Sequence, residues 1–371
     1  VPTIAPRPRP GILEISPYVG GKAEAGAGPA IKLSANESAI GPSPRAVEAY
    51  RAEAARLHRY PDGGCTALRA ALGRRFNLDP ERIVCGAGSD ELIGLLVRAY
   101  AGPGEEVVHS AHGFLMYRLA ALAAGAHPVA APERELRADV DALLARVTSR
   151  TRIVFLANPN NPTGSYLSAE ELRRLHAGLP EDVLLVIDAA YAEFVGAADY
   201  GSGLELAHEH ANVVTTRTFS KLFGLAALRV GWMYGPPAVI DVVNRSRGPF
   251  NVGQPAQAAA VAALEDVEHQ AAARAHNDRW LPWLKERLLG LGLIVHPSVG
   301  NFLLVDFPRA PGRDARAAEA FLERHGVIPR AMGAYGLPHA LRLSVGLEAE
   351  NRRLVEVLRA FVQGAPHAGA L

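Results

Sequence analysis

Lysine is scarce in this chain: of 39 basic side chains, only Lys22, Lys32, Lys221 and Lys285 carry an amine. A reaction that needs one has four candidates. Cysteine is scarcer still, with Cys65 and Cys85 alone among 371 residues. That excludes a disulfide framework and a four-thiolate zinc site, and it suits a reducing cytoplasm. Charge of one sign is also lacking. Thirty-nine Lys plus Arg against 38 Asp plus Glu leave +1, too little to attract nucleic acid or an anionic membrane. No apolar run approaches the roughly 18 residues of a membrane span. Val1 to Pro10 is proline-rich with arginine and lacks the apolar segment of a secretory signal. The histidines give no zinc pattern: His208-Glu209-His210 misses the i, i+4 spacing, so no metal is expected.

What is present is 49% apolar and 21% charged residues, in a chain long enough for two or three domains. Residues 1–35 hold several Pro and Gly and read as an extended arm. Short apolar runs then predict buried strands at Arg82–Cys85, Glu106–His109, Arg152–Ala157, Val183–Ile187, Val213–Thr216 and Val230–Tyr234. Amphipathic stretches such as Ala67–Phe76, Glu91–Ala99 and Ala169–Ala177 lie between them. The alternation predicts an α/β fold around a mainly parallel sheet covered on both faces. A single alanine-rich helical pattern runs from Pro255 to about Leu291. Strand-like Asn301–Phe307 and Leu341–Val345 follow, with a helix between, as in a smaller α+β domain. The expected division is an arm at 1–35, a large domain at 36–260 and a small one at 261–371.

Ligands of open parallel sheets bind beyond the carboxyl ends of the strands, so the polar residues there carry the functional reading. Gly86–Glu91 is either a phosphate cradle at a helix start or an ordinary turn capped by Ser89 or Asp90. It is no dinucleotide fingerprint, because Glu91 stands at the third glycine position, which argues against a nicotinamide dehydrogenase. Asn158-Pro159-Asn160-Asn161-Pro162-Thr163-Gly164 is either a plain turn or a stiff loop that holds the Asn161 amide. Asp188 is either a helix cap or a buried anion in need of a cation, with Tyr191 about one turn on. Lys221 follows Thr218-Phe219-Ser220 and precedes a segment too apolar for an exposed loop, ending at Arg229. An amine, a carboxylate, a phenol, an amide and a phosphate cup together match pyridoxal phosphate. A catalytically silent binding module would not need the full set.

On these residues the sequence resembles the fold-type I pyridoxal-phosphate aminotransferases, and closely the histidinol-phosphate aminotransferases. The asparagine-proline loop and Arg217-Thr218-Phe219-Ser220-Lys221 carry the superfamily likeness. Arg9-Pro10-Gly11-Ile12-Leu13, Ile15-Ser16-Pro17-Tyr18, Lys32-Leu33-Ser34-Ala35-Asn36-Glu37, Arg59-Tyr60-Pro61-Asp62-Gly63 and Leu341-Arg342-Leu343-Ser344-Val345-Gly346 narrow it.

The resemblance implies a seven-stranded large domain, pyridoxal 5'-phosphate as cofactor and a homodimer with active sites at the interface. It implies that Lys221 bears the cofactor and shuttles the substrate proton, while Asp188 keeps the pyridine nitrogen protonated. Asn161 and Tyr191 would bond the ring oxygen, and Phe114 would stack on the ring. Ser89, Asp90, Thr218, Ser220 and Arg229 would hold the cofactor on its phosphate side. Arg342 would take a substrate carboxylate. Tyr18, Arg330 and Tyr60, the last from a neighbouring subunit, would contact a substrate phosphate. The implied reaction is ping-pong transfer between glutamate and imidazole acetol phosphate, giving L-histidinol phosphate. An aromatic amino-acid aminotransferase or a phosphate-selective decarboxylase shares most of these residues. Ala189, Ala227 and Phe114 depart from the commoner glutamate, glycine and tyrosine, and the cofactor roles are expected to survive all three.

Overall fold

A computed structural model describes residues 8–16 and 30–364. Its centre is a seven-stranded sheet of β1 (Ile83–Gly86), β2 (Glu106–Ser110), β3 (His127–Ala131), β4 (Thr151–Ala157), β5 (Leu184–Asp188), β6 (Val213–Thr218) and β7 (Gly231–Tyr234). The spatial order is β1-β7-β6-β5-β4-β2-β3. Only β7 runs against its neighbours.

The apolar runs are strands because both faces are buried. Alternate residues go to opposite sides: Val154, Leu185 and Trp232 join one core, while Phe155, Val186 and Met233 join the other. Helices Thr66–Phe76, Ala169–Ala177 and Gln254–Glu265 close the first core, and Ser89–Tyr100, Leu115–Ala124 and Pro237–Ser246 the second. This is the fold expected from the sequence, with two corrections.

First, β3 was not foreseen. It is an edge strand, half open to solvent, whose short run Pro128-Val129-Ala130-Ala131 starts with proline and holds a single β-branched residue, so it does not read as a strand. Second, the long alanine-rich helix is two helices, Gln254–Glu265 and Val267–Leu289. Asp266 breaks it. Its carboxylate accepts hydrogen bonds from the Ser43 hydroxyl at 2.5 Å and from the His269 backbone N–H at 3.2 Å, which caps the second helix.

A second, antiparallel sheet consists of β8 (Ile294–Val295), β9 (Phe302–Asp306), β10 (Arg330–Ala331) and β11 (Ala340–Ser344), in the order β8-β9-β11-β10. Helices Ala315–Arg324 and Glu348–Gln363 pack on it. Ile31–Lys32 pairs in parallel with Val327–Ile328, which leads residues 33–37 between the two sheets.

Candidate active site

Strands β1, β5 and β6 end at the same edge of the large sheet, and β11 faces them. A cavity of about 250 Å³ lies between. Helix Ser89–Tyr100 points its start into it. The cap residue is Gly88, not Ser89 or Asp90, and it makes no side-chain cap hydrogen bond, which leaves the first N–H groups to an outside acceptor. Gly88 has φ 83° and ψ 165°, which only glycine tolerates well, and a Cβ there would strike the Arg229 guanidinium. Gly88→Ala is therefore expected to cost about 1–3 kcal/mol in thermal unfolding of the cofactor-free chain.

Beside this helix start, Arg229 donates to Ser220 Oγ at 3.2 Å and to Asp90 Oδ2 at 3.0 Å. Thr218 Oγ1 donates to Ser220 Oγ at 3.0 Å. A cation, two hydroxyls and a helix N-terminus form a set that could hold a dianionic phosphate.

On the opposite side, Asp188 ends β5 and is buried. It is no helix cap. Tyr117 Oη donates to Oδ2 at 2.8 Å and Thr216 Oγ1 to Oδ1 at 3.1 Å. Among the described residues no cation forms an ion pair with it. Burial pushes its carboxyl up to about 6, against the pull of the two hydroxyls. A buried carboxylate without a cation of its own fits a protonated ring nitrogen supplied from outside.

Lys221 lies between these two ends. Nζ donates to the Ala35 carbonyl at 3.0 Å and sits 5.5 Å from the centre of the Tyr191 ring. Burial, with Arg342 nearby, lowers its amine to about 8. Roughly a tenth is then neutral at pH 7, against about one part in three thousand for an ordinary lysine.

Of the asparagines after β4, Asn158 and Asn160 are spent on the loop itself, bonded to Leu167, Gly201, His112 and Thr163. Only Asn161 turns to the cavity, where its Oδ1 accepts from Arg342 Nη1 at 2.5 Å. Arg342 also donates to the Ser34 carbonyl at 2.7 Å. Phe114 and Arg330 complete the predicted members of the lining.

Residues 29–358 match the family described as aminotransferase class I and II. The chain is 59% identical to the histidinol-phosphate aminotransferase of Paramagnetospirillum magneticum over 96% of its own length and 99% of the relative. For the enzyme of the same name from Rhodospirillum centenum the values are 60%, 97% and 99%. The chain belongs to the class I and II aminotransferases, in the histidinol-phosphate branch. Solved structures agree. That of the Sinorhizobium meliloti histidinol-phosphate aminotransferase in complex with pyridoxal-5'-phosphate superposes with a TM-score of 0.86 at 31% identity, covering 95% of this chain and 97% of that one. The aspartate aminotransferase of Thermus thermophilus with maleate gives 0.80 at 25% identity, covering 90% and 92%.

Tyr18 lies outside the described residues. Tyr60, expected to act from a neighbouring subunit, does not line the cavity of its own chain. It is 83% exposed and stacks on Phe250 with ring centres 4.7 Å apart, on the outside of its own chain. Conversely, the sequence reading missed several groups at the site. Tyr117 and Thr216 hold Asp188, and Tyr117 stacks on Phe155 at 4.5 Å. Asn36 donates to Tyr191, and the Ser34 and Ala35 carbonyls receive Arg342 and Lys221. Tyr335 lines the mouth. The Lys32–Glu37 motif was the one available signal for residues 34–36. Of the departures from the family pattern, Ala189 is buried and donates its N–H to the Thr216 carbonyl, while Ala227 is exposed.

Proposed function

We propose that this chain transfers the amino group between L-histidinol phosphate and 2-oxoglutarate, with imidazole acetol phosphate and L-glutamate as the other pair. The observation that carries the reading is the convergence of Lys221, Asp188 and the open helix start on one cavity that also presents Arg342 and Arg330. Relatives at 59–60% identity over nearly the whole chain narrow the substrate.

When bound, pyridoxal phosphate supplies an aldehyde for an amine and a ring that stores the electron pair left by a departing proton. Lys221 binds it and, with a partly neutral Nζ, takes and returns the substrate proton. Asp188 keeps the ring nitrogen protonated, oriented by Tyr117 and Thr216. Asn161 and Tyr191 donate to the ring oxygen, and Phe114 covers one ring face. Ser89, Asp90, Thr218, Ser220 and Arg229 hold the cofactor phosphate. Arg342 takes the α-carboxylate of glutamate, which histidinol phosphate lacks. Arg330 and Tyr18 serve the substrate phosphate together with the partner subunit's Tyr60. The exposed Tyr60–Phe250 pair supports that last assignment, since it gives the working unit, a homodimer, an aromatic contact to share. We divide the chain at residue 35 and at the Asp266 break, not at the expected 260, because helix Gln254–Glu265 packs along its length on the large core, and place it in the cytoplasm, in keeping with two free buried thiols.

The test is an absorption spectrum of the purified holoprotein before and after L-histidinol phosphate, with no keto acid present. The visible band is expected to collapse into the near-ultraviolet band of pyridoxamine phosphate. A protein that responds only to phenylalanine or tyrosine is instead an aromatic aminotransferase. One that stays colourless with added pyridoxal phosphate refutes the assignment of Lys221.

A further inference from the structure

Asn36 has no part in the roles set out above, yet every polar atom it owns is engaged. It is fully buried, with φ 53° in the left-handed region. Its backbone N–H donates to Ser344 Oγ at 2.8 Å, and its carbonyl accepts from Asn301 Nδ2 at 3.1 Å. The side-chain Oδ1 accepts from Ser344 Oγ at 3.0 Å, and Nδ2 donates to Tyr191 Oη at 2.9 Å. The order of donors follows. Ser344 Oγ accepts the backbone N–H and donates its own proton to Oδ1. With Oδ1 occupied, only the NH₂ end of the amide can face Tyr191. A phenol that accepts on that side must send its single proton elsewhere, and Tyr191 borders the cavity.

We propose that Asn36 is a positioning residue that aims the Tyr191 hydroxyl proton into the cavity, with Ser344 fixing the orientation of its amide. The proposal rests on the pyridoxal-phosphate reading of the site. Asn36 touches neither substrate nor cofactor in it and acts through Tyr191. Ser344 and Arg342 are two apart on β11 and lie on the same side of the strand. The strand that presents the carboxylate-binding arginine thus also sets the proton direction of a ring-oxygen donor. Around Tyr191 the charged groups are Arg342, Asp188, Asp90 and Lys221, and Asn36 adds a neutral, directional contact to them.

The test is a pH titration of the holoprotein's visible absorption band, which needs no turnover. A donor aimed at the cofactor's ring oxygen favours its anionic form and loosens the proton that oxygen shares with the lysine nitrogen. Asn36→Asp keeps the shape and the tolerance of left-handed backbone, but it can only accept from Tyr191, which draws the phenol proton away. Its titration midpoint is expected to rise by about one pH unit, a tenfold change in proton affinity. Ser344→Ala adds no charge, frees the amide to turn, and should raise the midpoint by less. It also decides the matter if Asn36→Asp does not fold. In a Tyr191→Phe background the uncharged Ser344→Ala should not move the midpoint further, and Asn36→Asp should move it only by its added charge. An unmoved midpoint in both variants, or a Ser344→Ala rise that persists in the Tyr191→Phe background, overturns the proposal. A wild-type protein with no visible band at all refutes the cofactor reading instead.

Discussion

Lys221→Met is expected to abolish transamination and, without cofactor, to unfold less readily than the wild type at pH 7. The first effect has two sources. The acid–base role alone is worth about 10²–10⁴-fold, and the covalent hold on the cofactor disappears with it. The second follows from burial. An amine lowered from 10.5 to about 8 by the fold is one whose charge the fold resists. Such a group adds its full stability above the unfolded value and loses it as pH falls through about 8. At pH 7 the charged Lys221 thus costs about 3 kcal/mol, which methionine, of similar length, removes. Loss of the hydrogen bond to the Ala35 carbonyl returns about 1 kcal/mol. Urea unfolding of the cofactor-free proteins at pH 7 and pH 10 checks this. The variant should be ahead by about 2 kcal/mol at pH 7, and the gap should close toward pH 10. A variant less stable than the wild type at pH 7 would mean that the site does not strain its lysine.

Asp188→Asn should leave the protein yellow and nearly idle. Lys221, the proposed cofactor lysine, is untouched, so the visible band is expected to persist. The ring nitrogen, however, loses the anion that keeps its proton. Breaking a buried charge pair costs about 3–5 kcal/mol, so the rate of the half-reaction with L-histidinol phosphate should fall roughly 10²–10⁴-fold in stopped-flow absorption. A loss below tenfold would detach Asp188 from the chemistry. The cofactor-free variant should also lose a pH dependence. A carboxyl raised from 3.8 to about 6 adds stability that is complete below 3.8 and is lost as pH rises through about 6. The wild type should therefore weaken between pH 4 and 7 by a component that the asparagine variant lacks.

The strands were legible because a strand buried on both faces leaves a plain mark, an unbroken apolar run closed by polar residues. The runs at 152–157 and 183–187 predict β4 and β5 to within a residue. β3 left only a weak mark because one side of it meets water and its run is mostly alanine behind Pro128. The break at Asp266 was invisible for another reason. Asp266 caps the second helix within an alanine-rich stretch that conceals it, and its other partner is Ser43, more than two hundred positions away. The site divides in the same way. Lys221, Asp188 and Asn161 stand just past apolar runs, where a reader of sequence looks. Tyr117 stands inside an apolar helix and looks like core, which it also is. Asn36 stood in the Lys32–Glu37 motif, but its place at the site shows only through Tyr191 and Ser344, far along the chain. Ser34 and Ala35 contribute carbonyls, which every residue possesses.

The order of the large sheet bears on how the protein is made. β1, which leads into the helix start at Ser89, hydrogen-bonds within the sheet only to β7. Gly86 pairs with Gly231, and everything between them must be synthesised before the two can meet. A nascent chain on the ribosome carries β1 as an unpaired edge throughout that interval, the kind of segment that aggregates and that chaperones shield. The residues proposed to grip the cofactor phosphate stand near the two ends of that interval, at 89–90 and at 218–229. They assemble only once the last strand is seated. On the proposed reading, a full grip on the cofactor phosphate forms only after the last strand is in place.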